Sequence, residues 1–300
     1  MLGAKQTFSP LGLFFRSLFE RVAARFAIYY RRVVRFFMLR GDRSGKRILA
    51  RFGTLLPEIG HYKDNVVLRL LCVRARSKGF MDLERYYELV NSDPVELSAL
   101  RDHLTFVRTS FFRGGMWQEL GVLCGERFGS NNGKIRVWSA GCSSGMEVYS
   151  LLIMLLEHFP GDRIDILATD RNERMLRLCR KGVYPILSIR DIPRRYWNNL
   201  EINGKRFRVS NRLRKLVRTR SHDLLTDDYP GGFDVILCRN VIKFFKEDSD
   251  RRKVQHDLVR SLNPGGLLML SDEMEKEGIA DPGSLQLSRI GNSCVYQKLG

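Results

Sequence analysis

Between Ala140 and Gly145 the chain reads Ala-Gly-Cys-Ser-Ser-Gly, a turn of small residues directly after the apolar run Ile135-Arg136-Val137-Trp138. Small residues at the end of a strand let the backbone come close to a ligand. A second apolar run, Ile164–Ala168, leads to Asp170. That carboxylate stands about 25 residues beyond the turn, where an acid can accept both hydroxyls of a ribose. Dinucleotide sites use the same arrangement, and Asp170 by itself could equally cap a helix. The G-x-G-x-x-G spacing that cradles a pyrophosphate is absent, which favours a nucleoside lacking one; S-adenosylmethionine (SAM) is such a nucleoside. Taken singly, Glu147 reads as an exposed helix acid, and Trp138 and Phe111 as core residues.

The elements that must position these residues form two textures. Residues 52–115 read as helices. Val66, Leu70 and Val73 with Arg69, Arg74, Arg76 and Lys78 fit one helix with a basic face, Asp82 to Val90 fits a second, and Asp93-Pro94 opens a third. From Lys134 onward, strands alternate with helices. The predicted strands are 135–138, 164–168, 234–237 and 267–270, the last after the turn Asn263-Pro264-Gly265-Gly266, and a helix is predicted over about 146–158. Such alternation implies a mostly parallel sheet with helices on both faces.

The charge is unevenly placed. Of a formal +18, residues 1–51 hold twelve Lys/Arg against two acids, a net +10, and residues 188–220 hold eleven against two, a net +9. The remainder is nearly neutral. Residues 11–40 read as a basic amphipathic helix, with Phe15, Phe19, Val22, Phe26, Tyr30, Val33 and Phe37 at helical spacing and arginines between them. This suits either an anionic membrane surface or packing on the body. Tyr184, Tyr196, Trp197 and Phe207 interleave with the second basic segment and could stack on nucleotide bases or pack within the segment. Six scattered cysteines without Cys-x-x-Cys, and no His at zinc-ligand spacing, point to reduced thiols, a cytosolic setting and no metal site. No stretch approaches the roughly 20 apolar residues of a membrane-spanning helix. The start is no clean secretory signal, although its arginine-rich, acid-poor makeup overlaps with that of transit peptides.

Residues 138–150, Trp-Ser-Ala-Gly-Cys-Ser-Ser-Gly-Met-Glu-Val-Tyr-Ser, resemble the signature loop of the CheR family, the SAM-dependent methyltransferases of chemotaxis-receptor glutamates. The resemblance continues in order through Leu104-Thr105 with Thr109-Ser110-Phe111-Phe112-Arg113, and through Ala168-Thr169-Asp170 with Gly182-Val183-Tyr184. It ends with Phe233-Asp234 to Cys238-Arg239-Asn240-Val241 and with Leu262-Asn263-Pro264-Gly265-Gly266. It covers about residues 54–298.

The resemblance implies an α/β fold: a Rossmann-like SAM-dependent methyltransferase domain with an N-terminal helical domain and an inserted small antiparallel β-subdomain. The corresponding division is 1–51 as arm and linker, 52–125 helical, and 126–300 Rossmann-like with the β-subdomain at about 186–220. By position, Thr109 and Arg113 would reach the cofactor from the helical domain, with Arg113 beside the transferred methyl. Glu147 would meet the methionine amino end, Asp170 the ribose hydroxyls, Asp223 and Leu224 the adenine, and Cys238 and Arg239 the methionine side. Phe244 stands where the family has a substrate-orienting Tyr, Val107 where an Asn is common, and Met146 where the first of two acids is usual. The implied activity is esterification of glutamates on acidic helical segments of methyl-accepting chemotaxis receptors, with S-adenosylhomocysteine as product. The implied place is the cytoplasm, peripheral to the inner membrane if residues 11–40 bind lipid. The alternative from these departures is a SAM or S-adenosylhomocysteine sensor or docking module, and nucleic-acid binding ranks last.

Overall fold

The computed structural model describes residues 43–105, 109–114, 116–130, 133–270, 282–290 and 294–300. The amphipathic segment 11–40 and Val107 lie outside the described residues. The chain divides into two compact units, one up to Leu97 and one from Ser98 to Gly300.

The first unit is helical. It contains α1 (Arg43–Leu55), α2 (Asp64–Ser77), α3 (Leu83–Ser92) and the start of α4 (Pro94–Leu104). Ile48 and Phe52 of α1, Val67, Leu71 and Ala75 of α2, and Leu83, Tyr86, Tyr87 and Val90 of α3 are buried. The i, i+4 row 67–71–75 puts one stripe of α2 inward. The expected row Val66, Leu70, Val73 lies beside it, and Val73 is 38% exposed. Asp82 caps α3 by accepting from the Glu84 amide, and Pro94 opens α4 as its spacing predicts.

The buried carboxylate of Glu96 collects four donors: Arg74 Nε and Nη2 at 2.8 Å each, Lys78 Nζ at 3.0 Å and Tyr86 Oη at 2.7 Å. Burial raises its pKa, but the hydrogen bonds from Arg74, Tyr86 and Lys78 outweigh it and bring the group to about 2. The expected basic face of α2 is therefore partly spent inside the unit, because two of its four cations neutralise Glu96.

The second unit holds a seven-stranded sheet of order β6-β2-β1-β7-β8-β10-β9. Its strands are β1 (Ile135–Ala140), β2 (Ile164–Asp170), β6 (Val217–Ser221), β7 (Phe233–Leu237), β8 (Leu262–Met269), β9 (Leu287–Arg289) and β10 (Val295–Lys298). The first five strands in that order run parallel, and β10 is antiparallel to both β8 and β9. The helices are α5 (Trp117–Phe128), α6 (Met146–Leu155), α7 (Glu173–Lys181), the short α8 (Asn211–Arg214) and α9 (Asp248–Ser261). Every residue of α6 from Val148 to Leu155 is buried, so this helix and β1 form the centre of the core. The apolar run of α6 is continuous rather than striped because the helix has no solvent face to keep polar.

A three-stranded antiparallel sheet of order β3-β5-β4 is inserted after α7, from β3 (Val183–Pro185), β4 (Leu200–Asn203) and β5 (Arg206–Val209). It begins before Ile186, and Val217–Ser221 pairs with β2 in the main sheet instead. Phe207 and Val209 are buried while Arg206 and Arg208 are exposed, the period-two alternation of a one-sided sheet. Tyr184, Tyr196 and Phe207 are buried, and Trp197 packs partly buried against the same core. These rings are packing and not stacking platforms, which removes the motive for nucleic-acid binding at this segment. All six cysteines are free thiols. Among the described residues no helix is long and apolar enough to cross a membrane.

Candidate active site

The loop after β1 turns sharply. Gly141 has φ +77° and Gly145 φ +85°, both in the left-handed region. A Cβ on Gly141 would stand 2.4 Å from Val241 Cγ2, and one on Gly145 would stand 2.4 Å from Cys179 Sγ. Only glycine lets this loop lie against both the β7 turn and α7.

Asp170, at the carboxyl end of β2, fixes the loop from the other side. Its Oδ2 accepts from the Ser143 amide and its Oδ1 from the Asn172 amide, both at 2.8 Å. Burial pushes its pKa up; the two amides and Arg171 oppose that, and Asp223 adds to it. Asp170 is not the helix cap. Asn172 caps α7, its Oδ1 accepting from the amides of Arg174 and Met175, while its Nδ2 donates to Asp102 O and Thr105 Oγ1. Asp223 sits at the end of β6, its carboxylate accepting from the Leu225 amide with Arg171 Nη1 at 3.6 Å. Leu224 beside it is buried.

A second polar cluster joins the first helical turn of α6 to the end of β7. Arg239 Nη1 donates to Arg113 O at 3.0 Å and to Glu147 Oε1 at 3.3 Å. Its side chain is 5% exposed, and that of Glu147 is 13%. Burial raises the Glu147 pKa; Arg239 and Arg113 lower it. Segment 109–114 belongs to the same compact unit as the sheet and is held by several contacts. The Phe112 amide donates to Ser150 Oγ, Trp117 Nε1 donates to Arg113 O, and Phe111 meets Tyr184 edge-on at 5.0 Å. Phe112 takes φ +46° and stacks on Tyr196 at 5.5 Å. A non-glycine residue in that region is a strained backbone that its surroundings over-determine.

Asp170 with Asp223, and Arg113 with Glu147 and Arg239, are thus brought together. Thr109, Leu224, Cys238 and Phe244 make no side-chain hydrogen bond to either cluster among the described residues. Cys238 is fully buried and its thiol is pushed up to about 12 by burial. Phe244 is half-buried, with Lys243 Nζ 5.4 Å from its ring centroid. Met146 starts α6 and packs against the core. Sequence reasoning did not find Ser150, Trp117, Asn172 or Arg171. Ser150 alone left a signal, as the one serine inside the buried run of α6.

The chain matches the family model described as "CheR methyltransferase, SAM binding domain" over residues 108–280. It belongs to the CheR methyltransferase family. It is 30% identical over 238 residues to a chemotaxis protein methyltransferase of Listeria monocytogenes, covering 78% of this chain and 89% of that one. It is 31% identical to that of Listeria innocua, over 77% and 88%, and 32% identical to that of Borreliella burgdorferi, over 62% and 70%. This CheR chain is therefore a SAM-dependent methyltransferase enzyme with a Rossmann-like fold.

Its residues fit the cofactor. Thr109 Oγ1 and Arg239 Nε are buried and have no hydrogen-bond partner among the described residues, as expected of groups built to meet a ligand. The carboxylates and guanidinium groups of the two clusters are of the kinds that would pair with an amine, hydroxyls and a carboxylate.

Proposed function

We propose that this enzyme esterifies glutamate side chains on chemotaxis receptors, using the two polar clusters as the two ends of its SAM site. The observation that carries the reading is the Arg113–Glu147–Arg239 cluster at one side of the β1 loop with Asp170 at the other. In this reading Glu147 binds the amino end of the cofactor, Arg239 its carboxylate, Asp170 the ribose hydroxyls, and Asp223 and Leu224 border the adenine. Thr109 supplies a hydroxyl to the cofactor, and Cys238 gives the methionine side an apolar wall.

Bound SAM supplies an electrophilic methyl on a sulfonium. A glutamate carboxylate is already ionised near neutral pH, so the chain need not supply a base. Its task is to hold donor and acceptor in line and to exclude water. Arg113 beside the methyl would pair with the incoming carboxylate, and its carbonyl, held by Arg239 and Trp117, fixes the main chain from which that guanidinium extends. The supplied methyl would pass to the glutamate carboxylate oxygen as the carbon–sulfur bond breaks, which would leave a glutamyl methyl ester with S-adenosylhomocysteine as the leaving group. Phe244 would contribute an apolar wall without an orienting hydroxyl.

The names of the relatives support the chemotactic setting. The receptor's acidic helical segment, a place at the inner membrane surface, and lipid contact through residues 11–40 belong to the same proposal. The test is transfer of methyl groups to a receptor fragment in base-labile form. Transfer that falls at least about a hundredfold in Arg113→Ala, the loss of roughly 2.7 kcal/mol of transition-state stabilisation, supports this site. Transfer unaffected by that change contradicts it.

A further inference from the structure

The tip of the inserted sheet carries cations that no carboxylate answers among the described residues. Lys205 and Arg206 stand at the tip of the β4–β5 hairpin, whose turn residue Gly204 has φ +54°. The Ile186 amide donates to Lys205 O at 2.9 Å, which brings the turn Ile186–Asp191 alongside that tip. On this turn Arg190 Nε donates to Leu187 O at 3.1 Å, so the guanidinium is held over the backbone of a residue whose own side chain is 69% exposed. Arg190, Lys205 and Arg206 are all exposed, and none has a carboxylate partner among the described residues. Exposed acids are sparse: Asp191 follows Arg190 in the chain, and Glu201 faces Arg208, not Arg206, across the hairpin.

We propose that this hairpin end docks on a layer of anionic phospholipid headgroups, with Arg190, Lys205 and Arg206 contacting phosphates and Leu187 entering the acyl boundary. Unpaired cations around a protruding aliphatic side chain suit an interface that is anionic at its surface and apolar just beneath. A nucleic acid would need open aromatic faces for stacking, and Tyr184, Tyr196 and Phe207 are buried. The cationic tip needs no groove, because headgroups form a continuous field rather than a shaped ligand.

The test is sedimentation of the full chain with phosphatidylcholine vesicles, with and without phosphatidylglycerol. Residues 11–40 stay intact throughout, so any change belongs to the hairpin end. Each basic residue at an anionic surface is worth about fivefold in partitioning. The triple variant R190Q/K205Q/R206Q should therefore lose about a hundredfold on anionic vesicles while binding S-adenosylhomocysteine as the parent does. Leu187→Ser should lose several-fold with its charge unchanged. Equal partitioning of the triple variant and parent would overturn the proposal, as would equal binding to the zwitterionic vesicles. Retention on polyglutamate or single-stranded DNA without partitioning onto vesicles would overturn it in favour of a protein or nucleic-acid partner.

Discussion

In the proposed site Asp170 would do two jobs with one carboxylate: it holds the Ser143 and Asn172 amides, and its remaining lone pairs would accept from the ribose hydroxyls. Asp170→Ala removes both. Leaving buried donors unpaired costs about 1–3 kcal/mol, so S-adenosylhomocysteine should bind about 5- to 150-fold more weakly in calorimetric titration; unchanged affinity would remove Asp170 from the site. Phe244→Tyr tests the opposite change. One added hydrogen bond to the substrate is worth about 1 kcal/mol, so turnover should rise by about fivefold with the cofactor affinity unaltered. A change in that affinity alone would mean that the ring borders the cofactor instead. At this scale Glu147 and Asp170 were legible only through the ordered motifs around them, since singly they read as an exposed acid and a possible helix cap. The sequence was silent on Asn172, whose four side-chain hydrogen bonds join two distant segments that only the fold brings together.

The β1–α6 loop shows how an element can be decided by two glycines. Gly141→Ala would force an L side chain into φ +77° and against Val241. It should cost about 1–3 kcal/mol of stability, lowering the thermal midpoint and weakening cofactor binding together. In the helical unit, Glu96 binds its donors as a carboxylate, with a pKa lowered to about 2. A carboxyl group with a depressed folded-state pKa stabilises above its unfolded value and loses that contribution as pH falls toward 2. Solvent screening of the partly exposed Arg74 and Lys78 limits the effect to on the order of 2 kcal/mol. Glu96→Gln should destabilise the protein at pH 7 but make little difference near pH 2, as chemical denaturation at the two pH values would show. The strands β1, β2, β7 and β8 were legible because buried parallel strands read as apolar runs. The edge strand β6, Val-Arg-Thr-Arg-Ser, was not, since its exposed arginines conceal its alternation. Neither were β9 and β10, which are three and four residues long, too short for an alternation to show.

Taken whole, the molecule is a near-neutral catalytic body whose surplus charge lies in two segments, one of them largely the inserted sheet and its flanks. The ordered motifs from Leu104 to Gly266 foretold the fold and the cofactor because each motif carries a steric or polar requirement of the site. The fate of the basic face of α2 was less legible, since no pattern in the chain announces that Arg74 and Lys78 turn toward Glu96. The central claim is that this site methylates receptor glutamates. The direct measurement is incubation of the full chain with methyl-labelled SAM and a receptor cytoplasmic fragment from the same cell, followed by release of volatile label in base. The account predicts base-labile label on glutamate, abolished by glutamate-to-alanine changes in the receptor and strongly reduced in Arg113→Ala. Tight binding of S-adenosylhomocysteine with no base-labile label on the receptor would contradict it.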